Sequence, residues 1–263
     1  MIVLDGVTKR YGDRTIVSEV SLELREGELT VFLGPSGCGK TTTLKLINRL
    51  LPLTAGRILI GSQDIAGLEP IALRRRIGYV IQEVGLFPHY RIFDNVALVP
   101  RLLGWPREKI DARVLEMLAL VNLPADLLGR FPRELSGGQR QRVGVARALA
   151  GDPDILLMDE PFGAVDPQNR TFIQDEFKRI QRRLGKTVVM VTHDLDEALR
   201  LGDSVALFNA GRVEQSGAPA DLLAEPATAF VADFLGGDRL TRLARLRCPD
   251  KLEAAAAELL AHG

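Results

Sequence analysis

The stretch Leu29-Thr-Val-Phe-Leu-Gly-Pro-Ser-Gly-Cys-Gly-Lys-Thr-Thr42 decides the fold class. An apolar run of strand length feeds Gly34-x4-Gly39-Lys40-Thr41, the pattern of a phosphate-binding loop between a strand and a helix. Glycines such as Gly34, Gly37 and Gly39 let backbone N–H groups converge on phosphate oxygens. The N-terminus of the following helix adds its partial positive charge. Lys40 reaches the β- and γ-phosphates as a point charge, and the Thr41 hydroxyl suits Mg²⁺. Ser36 and Thr42 complete the set of phosphate-facing residues, and Cys38 reads as a small filler.

Further along, Ile155-Leu-Leu-Met-Asp-Glu160 has an apolar run that buries a strand and an acidic pair at its carboxyl end, where open α/β sheets bind ligands. Asp159 can there hold Mg²⁺ through water, and Glu160 can polarise a water as general base. The competing reading of such a pair is a helix cap or a solvated turn. His193 follows the apolar run Thr187–Val191 and so comes to the same rim, with Asp194 suited to N-cap a helix ending near Gly202. In Leu135-Ser-Gly-Gly-Gln139, Ser136 and the glycines open a helix Gly138–Ala150 whose exposed N–H groups and dipole can cap an anion. Gln82 stands after the run Ile77–Ile81 and before a segment of different texture.

That segment, about 85–150, is mostly helical: Ile110, Val114, Met117, Leu118 and Val121 recur at helical spacing up to Pro124, and Val145, Ala148 and Leu149 mark another stripe. Elsewhere the pattern is that of strands. Val20, Leu22 and Leu24 alternate with polar residues as in a half-buried antiparallel strand, and Glu26-Gly27 turns the chain into Leu29–Leu33. Short apolar runs follow at Arg57–Ile60, Ile77–Ile81, Ile155–Met158 and Thr187–Val191; the last two lack polar alternation and read as strands buried on both faces of a parallel sheet. Val205–Phe208 and Arg212–Gln215 flank Asn209-Ala-Gly211 as a hairpin. The alanine-rich Leu252–Leu260 is expected to be a short helix.

With 263 residues, 46% hydrophobic and 26% charged, the chain has an ordinary globular balance. Lys plus Arg equals Asp plus Glu at 34 each, which gives no overall pull towards nucleic acid. Arg74–Arg76 and the Arg140, Arg142, Arg147 set are local basic patches whose plain reading is a solvated helix face. Cys38 and Cys248 have no disulfide or zinc spacing, which fits a reducing cytosol. The start, Met-Ile-Val-Leu-Asp5, lacks a basic region and a long apolar stretch, so no signal peptide is expected. No run approaches the ~20 apolar residues of a membrane span, so work at a membrane would need spans from other chains.

As an ordered set, Gly34–Thr42, Gln82, Leu135–Gln139, Ile155–Glu160, Gly163-Ala-Val-Asp166 and Thr192-His193 resemble the ATP-binding subunit of ATP-binding cassette transporters, over residues 2–235. The resemblance implies a P-loop NTPase (RecA-like) α/β core with an N-terminal antiparallel β subdomain and an inserted α-helical subdomain. It implies two copies that sandwich ATP and Mg²⁺ head to tail, with Ser136, Gly138 and Gln139 of one facing the γ-phosphate held by the other. In that reading Glu160 and His193 serve hydrolysis, Thr41, Asp159 and Gln82 serve the metal, Gln82 senses the γ-phosphate, and Asp166 links the two sites. Tyr11 stands at the interval where the family places an adenine-stacking aromatic; an edge-strand tyrosine is the alternative.

Leu73-Arg-Arg-Arg-Ile-Gly-Tyr-Val-Ile-Gln-Glu-Val-Gly-Leu-Phe-Pro-His89, Asn95–Pro100, Ile47–Leu50 and Thr192–Ala198 are similar to the quaternary-amine importer branch (glycine betaine, choline, carnitine). Glu83 and Tyr90-Arg-Ile92 depart from its pattern. Longer members carry nucleotide-sensing modules after the cassette, for which the 28 residues after Leu235 are too few. The implied partners are a second copy, integral-membrane permease subunits and, indirectly, an extracytoplasmic substrate-binding protein, with no nucleic acid. The implied place is the cytoplasmic face of the inner membrane, peripherally held. Phe87, Pro88 and His89 are candidates to line the groove for a permease helix, or else a buried structural patch. An importer for another solute, or a cytosolic cassette acting on DNA or ribosomes, is the alternative.

Overall fold

A computed structural model describes residues 1–82, 85–163, 165, 167–236, 238 and 242. The chain opens with β1 (Ile2–Tyr11) and β2 (Arg14–Leu24), then β3 (Leu29–Leu33), α1 (Lys40–Ile47), β4 (Ala55–Ile60), β5 (Gln63–Asp64), α2 (Pro70–Arg75) and β6 (Ile77–Val80). Three helices follow: α3 (Ile92–Leu102), α4 (Arg107–Leu120) and α5 (Gly137–Ala150). The remainder is β7 (Ile155–Asp159), α6 (Pro167–Leu184), β8 (Thr187–Val191), α7 (Leu195–Leu201), β9 (Ser204–Asn209), β10 (Arg212–Gly217), α8 (Pro219–Ala224) and α9 (Ala229–Leu235).

The strands form two sheets. One is antiparallel, ordered β2-β1-β4-β5; the other is ordered β10-β9-β3-β8-β7-β6 and is parallel except for β10. The period-2 geometry of the central strands decides where the core goes. Leu29, Val31, Leu33, Leu156, Met158, Val188 and Met190 point to one face, into a core shared with α3, α4 and α5. Phe32, Ile155, Leu157, Val189 and Val191 point to the other, where Leu44, Leu46 and Ile47 of α1 and the apolar side of the antiparallel sheet cover them. Both faces being covered explains why β7 and β8 are buried at every position and lack polar alternation, as expected from sequence.

Several elements extend or shift the sequence expectations. The alternating strand at Val20–Leu24 runs back to Arg14, and its partner β1 was not read from sequence. β6 stops at Val80, one residue short of the expected end, and Ile81 is turned out to solvent. The hairpin forms as expected, with Ala210 and Gly211 both at positive φ (45° and 84°), the conformation a tight hairpin turn asks for. α3 tolerates Pro100 near its C-terminal end. α4 ends at Leu120, because Asn122 adopts φ +52° ahead of Pro124. The expected helix at Leu252–Leu260, like Cys248, lies outside the described residues. No helix among the described residues is long and apolar enough to cross a membrane.

Candidate nucleotide site

The carboxyl edge of the parallel sheet gathers residues from four segments. After β3 the chain turns at Gly34, whose φ is +143° and where a Cβ would lie 2.2 Å from the Phe208 carbonyl oxygen. Gly39, at φ +104°, is packed under the Ile16 carbonyl, which an added Cβ would meet at 2.8 Å. Between them Pro35, Ser36 and Gly37 form an exposed crown. The glycines are thus required by close backbone approach at the loop's two ends, and by φ +79° alone at Gly37.

Lys40, 5% exposed, reaches back across the loop and donates to the carbonyl oxygens of Gly34 (2.7 Å) and Pro35 (2.8 Å). Its remaining donor faces Cys38 Sγ at 3.6 Å, a weak acceptor that a phosphate oxygen would outcompete. Cys38 is buried, in keeping with its reading as filler. Thr43 spends its hydroxyl on the Gly39 carbonyl and is structural, whereas Thr41 and Thr42 are only partly buried.

Thr41 Oγ1 donates to Asp159 Oδ1 at 2.7 Å, tying the first turn of α1 to the end of β7. Burial pushes the Asp159 carboxyl up; the Thr41 bond and the lysines 45 and 40 pull it down, and Glu160 adds like charge. Glu160 sits at φ +46°, a sparsely populated backbone region for a glutamate, pinned by its N–H to the Val191 carbonyl (3.0 Å). One carboxylate oxygen accepts from Gln82 Nε2 at 2.9 Å and the other lies 3.2 Å from His193 Nδ1. Gln82, Glu160 and His193 therefore meet as one constellation. The solvated-turn alternative for Asp159–Glu160 does not describe it.

Mg²⁺ fits this edge. Thr41 Oγ1 and Asp159 Oδ1 are hard oxygen donors placed side by side, and Gln82 keeps its amide oxygen free of the Glu160 bond.

The other expected residues lie apart from this cluster. Ser136 caps α5: its Oγ accepts from the Gln139 N–H (3.2 Å), and Gln139 Oε1 accepts from the Ser136 N–H (2.9 Å). Gly138 packs against Ile173, where a Cβ would meet Cδ1 at 3.3 Å. Among the described residues neither Ser136, Gly138 nor Gln139 hydrogen-bonds the phosphate loop. Tyr11 closes β1 with a half-exposed ring carrying the Lys9 ammonium 4.7 Å from its centroid. β1 lies between β2 and β4, but its pairing with β4 ends at Thr8, so Tyr11 is paired on one side alone, opposite Arg14 of β2. Asp166 lies outside the described residues.

Sequence reasoning overlooked Asn95. Fully buried in α3, it accepts from the Phe87 N–H (2.8 Å) and donates to the carbonyls of Phe87, Tyr90 and Arg91, holding the loop in front of the helix. The signal was an uncharged polar residue directly before Val96-Ala-Leu98, behind the acidic Asp94 in the run Ile92–Leu98. That loop borders a groove of about 290 Å³ whose walls include Phe87, Ile81, Val99, Arg74 and Arg147. Pro88 and His89 are not in its wall; His89 stacks edge-on with Tyr90 at 4.5 Å.

The ABC transporter family profile matches residues 17–163. The glycine betaine/carnitine/choline transport ATP-binding protein OpuCA of Bacillus subtilis is 52% identical over 241 residues, 91% of this chain and 63% of OpuCA. The glycine betaine uptake system ATP-binding protein YehX of Escherichia coli is 50% identical over 248 residues, 94% of this chain and 80% of YehX. The chain thus spans less than two thirds of the length of OpuCA, and likewise of the choline transport protein OpuBA. Among solved structures, a dimeric post-hydrolysis state of an ATP-binding cassette bound to ADP and Pi has a TM-score of 0.74 at 36% identity, covering 83% of this chain and 99% of that one. The structure of cbiO1 from Clostridium perfringens, part of the ABC transporter complex cbiONQ, has a TM-score of 0.81 at 27% identity, covering 96% of this chain and 97% of that one. The chain belongs to the ABC transporter family and carries its ATP-binding domain.

Proposed function

We propose that this chain hydrolyses ATP as one half of a head-to-tail pair and so drives uptake of a glycine betaine- or choline-type solute. The observation that carries the ATPase reading is the Glu160 carboxylate held between Gln82 and His193, beside the Thr41–Asp159 pair. The cassette is taken as residues 1–235 with its helical part about 85–150, and 236–263 as a tail.

The phosphate loop and Lys40 bind the β- and γ-phosphates, and Tyr11 stacks on the adenine. Thr41 and Asp159, with Gln82, hold Mg²⁺, which when bound neutralises phosphate charge. Glu160 takes the proton of the attacking water, and His193, oriented by its contact with Glu160, donates a hydrogen bond to the γ-phosphate. Ser136, Gly138 and Gln139 cap the γ-phosphate of the other copy through the start of α5, and Asp166 joins the two sites. ATP closes the pair because both halves touch it only when closed. The groove beneath Phe87 receives a cytoplasmic helix of the permease, which keeps the chain at the inner face of the membrane.

The solute class rests on the names of relatives such as OpuCA and YehX. The Glu160→Gln variant tests the mechanism. It should bind ATP, stay a dimer in light scattering and release phosphate about 10²–10⁴-fold more slowly than wild type. Normal phosphate release would remove Glu160 as base. Copurification from detergent-solubilised membranes tests the rest: a multi-span permease supports transport, and its binding protein, titrated with betaine and choline, decides the solute.

A further inference from the structure

We propose that Arg242 is a positioning residue for His193, acting by fastening the first turn of α7 to the end of α9. The inference rests on the reading of His193 as part of the ATP site. The His193 ring is 60% exposed, and its side chain touches Glu160 Oε1 at 3.2 Å. So weak a side-chain anchor leaves the ring to follow its backbone. On one side that backbone is fixed by β8, where the Glu160 N–H also bonds the Val191 carbonyl. On the other it is fixed by α7, which has seven residues and cannot hold itself as an isolated helix.

α7 is anchored unevenly. Its latter half, with Ala198, Leu199 and Leu201, is buried in the core. Its first turn borders a polar cleft of about 600 Å³ between α6, α7 and Arg242, crossed by charged and polar links. On the α6 side, Gln174 Nε2 donates to Glu197 Oε1 (2.9 Å), and Arg170 Nη1 lies 3.9 Å from Asp194 Oδ2, the N-cap of α7. From the other side comes Arg242. Its Nε lies 3.3 Å from Asp196 Oδ1, while Nη1 donates to the Leu235 carbonyl and to Asp238 Oδ1, both at 2.6 Å. The planar fork suits this spanning role, since a single ammonium could not serve both edges in fixed geometry. Leu235 and Val231 are fully buried, so the α9 end is tied to the core.

The magnitudes separate positioning from stability. Asp196 is 70% exposed, and a pair so solvated adds little to folding. Displacing a catalytic group by about 1 Å can cost up to 10²-fold in rate.

The test uses the full chain labelled at histidine with ¹⁵N. The three histidines give few imidazole signals, and His193 is assigned by its loss in His193→Ala. In Arg242→Ala and in the near-isosteric Asp196→Asn, the His193 signal should shift or broaden while that of His89 stays. Arg242→Lys, which keeps a charge for Asp196, should restore it in part. Phosphate release should fall about 5–10-fold with KM for ATP within about twofold and Tm within about 2 °C. An unmoved His193 signal overturns the proposal. So does a shift of His89 and His193 together with a large drop in Tm, which marks general loosening. If wild type releases no phosphate, the ATPase reading falls, while the imidazole signals still decide whether Arg242 places His193.

Discussion

The two helix starts proposed to face phosphate in this chain are built differently. At the start of α1, Lys40 bonds the loop carbonyls of Gly34 and Pro35 and Thr41 bonds Asp159, next to the hydrogen-bonded network of Glu160, Gln82 and His193 at the same sheet edge. At the start of α5, Ser136 and Gln139 bond each other and no member of that network. The first is assembled by one chain because β3, β7 and β8 are neighbours in one sheet, so their carboxyl ends coincide. The second is carried by a helix on the other side of the core, and its capping box keeps Ser136 and Gln139 paired until something better arrives. In the proposed head-to-tail pair, one chain thus supplies one half of an ATP site with α1 and the complementary half of the other with α5.

The strongest way to break that comparison is to damage each half separately. Lys40→Ala and Ser136→Arg should each lower phosphate release at least about 10²–10³-fold, since each removes a contact aimed at developing charge. Mixed in equal amounts, the two variants should regain a measurable rate. Their heterodimer combines an intact Lys40 with an intact Ser136 at one of its interfaces. If both halves served a site within one chain, mixing would restore nothing.

Much of the first half was legible in the sequence, because its residues stand directly at strand ends: Lys40 and Thr41 behind Leu29–Leu33, Asp159 and Glu160 closing Ile155–Met158, His193 behind Thr187–Val191. Position on a parallel sheet follows from such runs without knowledge of the rest of the fold. Asn95 and Arg242 were not legible in the same way. What they do depends on contacts with loop carbonyls or with a helix far away in the chain, and no period announces those. The start of β1 escaped because only its pairing with both β2 and β4 shows it to be an inner strand. The strained Glu160 backbone likewise has no sequence signal.

A smaller effect sharpens the account of how α1 is prepared. Gly34→Ala would place a Cβ 2.2 Å from the Phe208 carbonyl oxygen, in backbone that cannot give without separating β3 from β9. Gly37→Ala meets nothing within 4 Å and carries the cost of φ +79° alone. That cost is about 1–2 kcal/mol, or about 2–8 °C in Tm for a chain of this size. Gly34→Ala should lose clearly more than this by thermal melting. Equal losses would mean that the loop's ends are not clamped as described.

The mildest test asks whether the first half is kept ready at a cost to folding. Burial raises the Asp159 carboxyl in the folded state, so between its unfolded and folded pKa values the native chain holds more protons than the unfolded one. Stability must then fall as pH rises through that window, and above it the whole penalty of an ionised, desolvated carboxylate is present. Asp159→Asn keeps an acceptor for Thr41 but no charge. It should raise Tm at pH 7–8 by about 2–4 °C for each kcal/mol relieved, with the gain vanishing below about pH 3, where both states of the wild type are protonated. Asp152, away from the site, has the opposite sign. A hydrogen bond from Lys186 lowers its pKa, so its contribution is present above the unfolded value and lost as pH falls through the folded one. With Asp152 62% exposed, Asp152→Asn should lower Tm at pH 7 only slightly. A scaffold carboxylate that stabilises and a site carboxylate that destabilises would show that the phosphate edge is held in a state folding alone does not favour. If Asp159→Asn melted no higher than wild type at pH 8, the Thr41 bond and the two lysines would already compensate its burial.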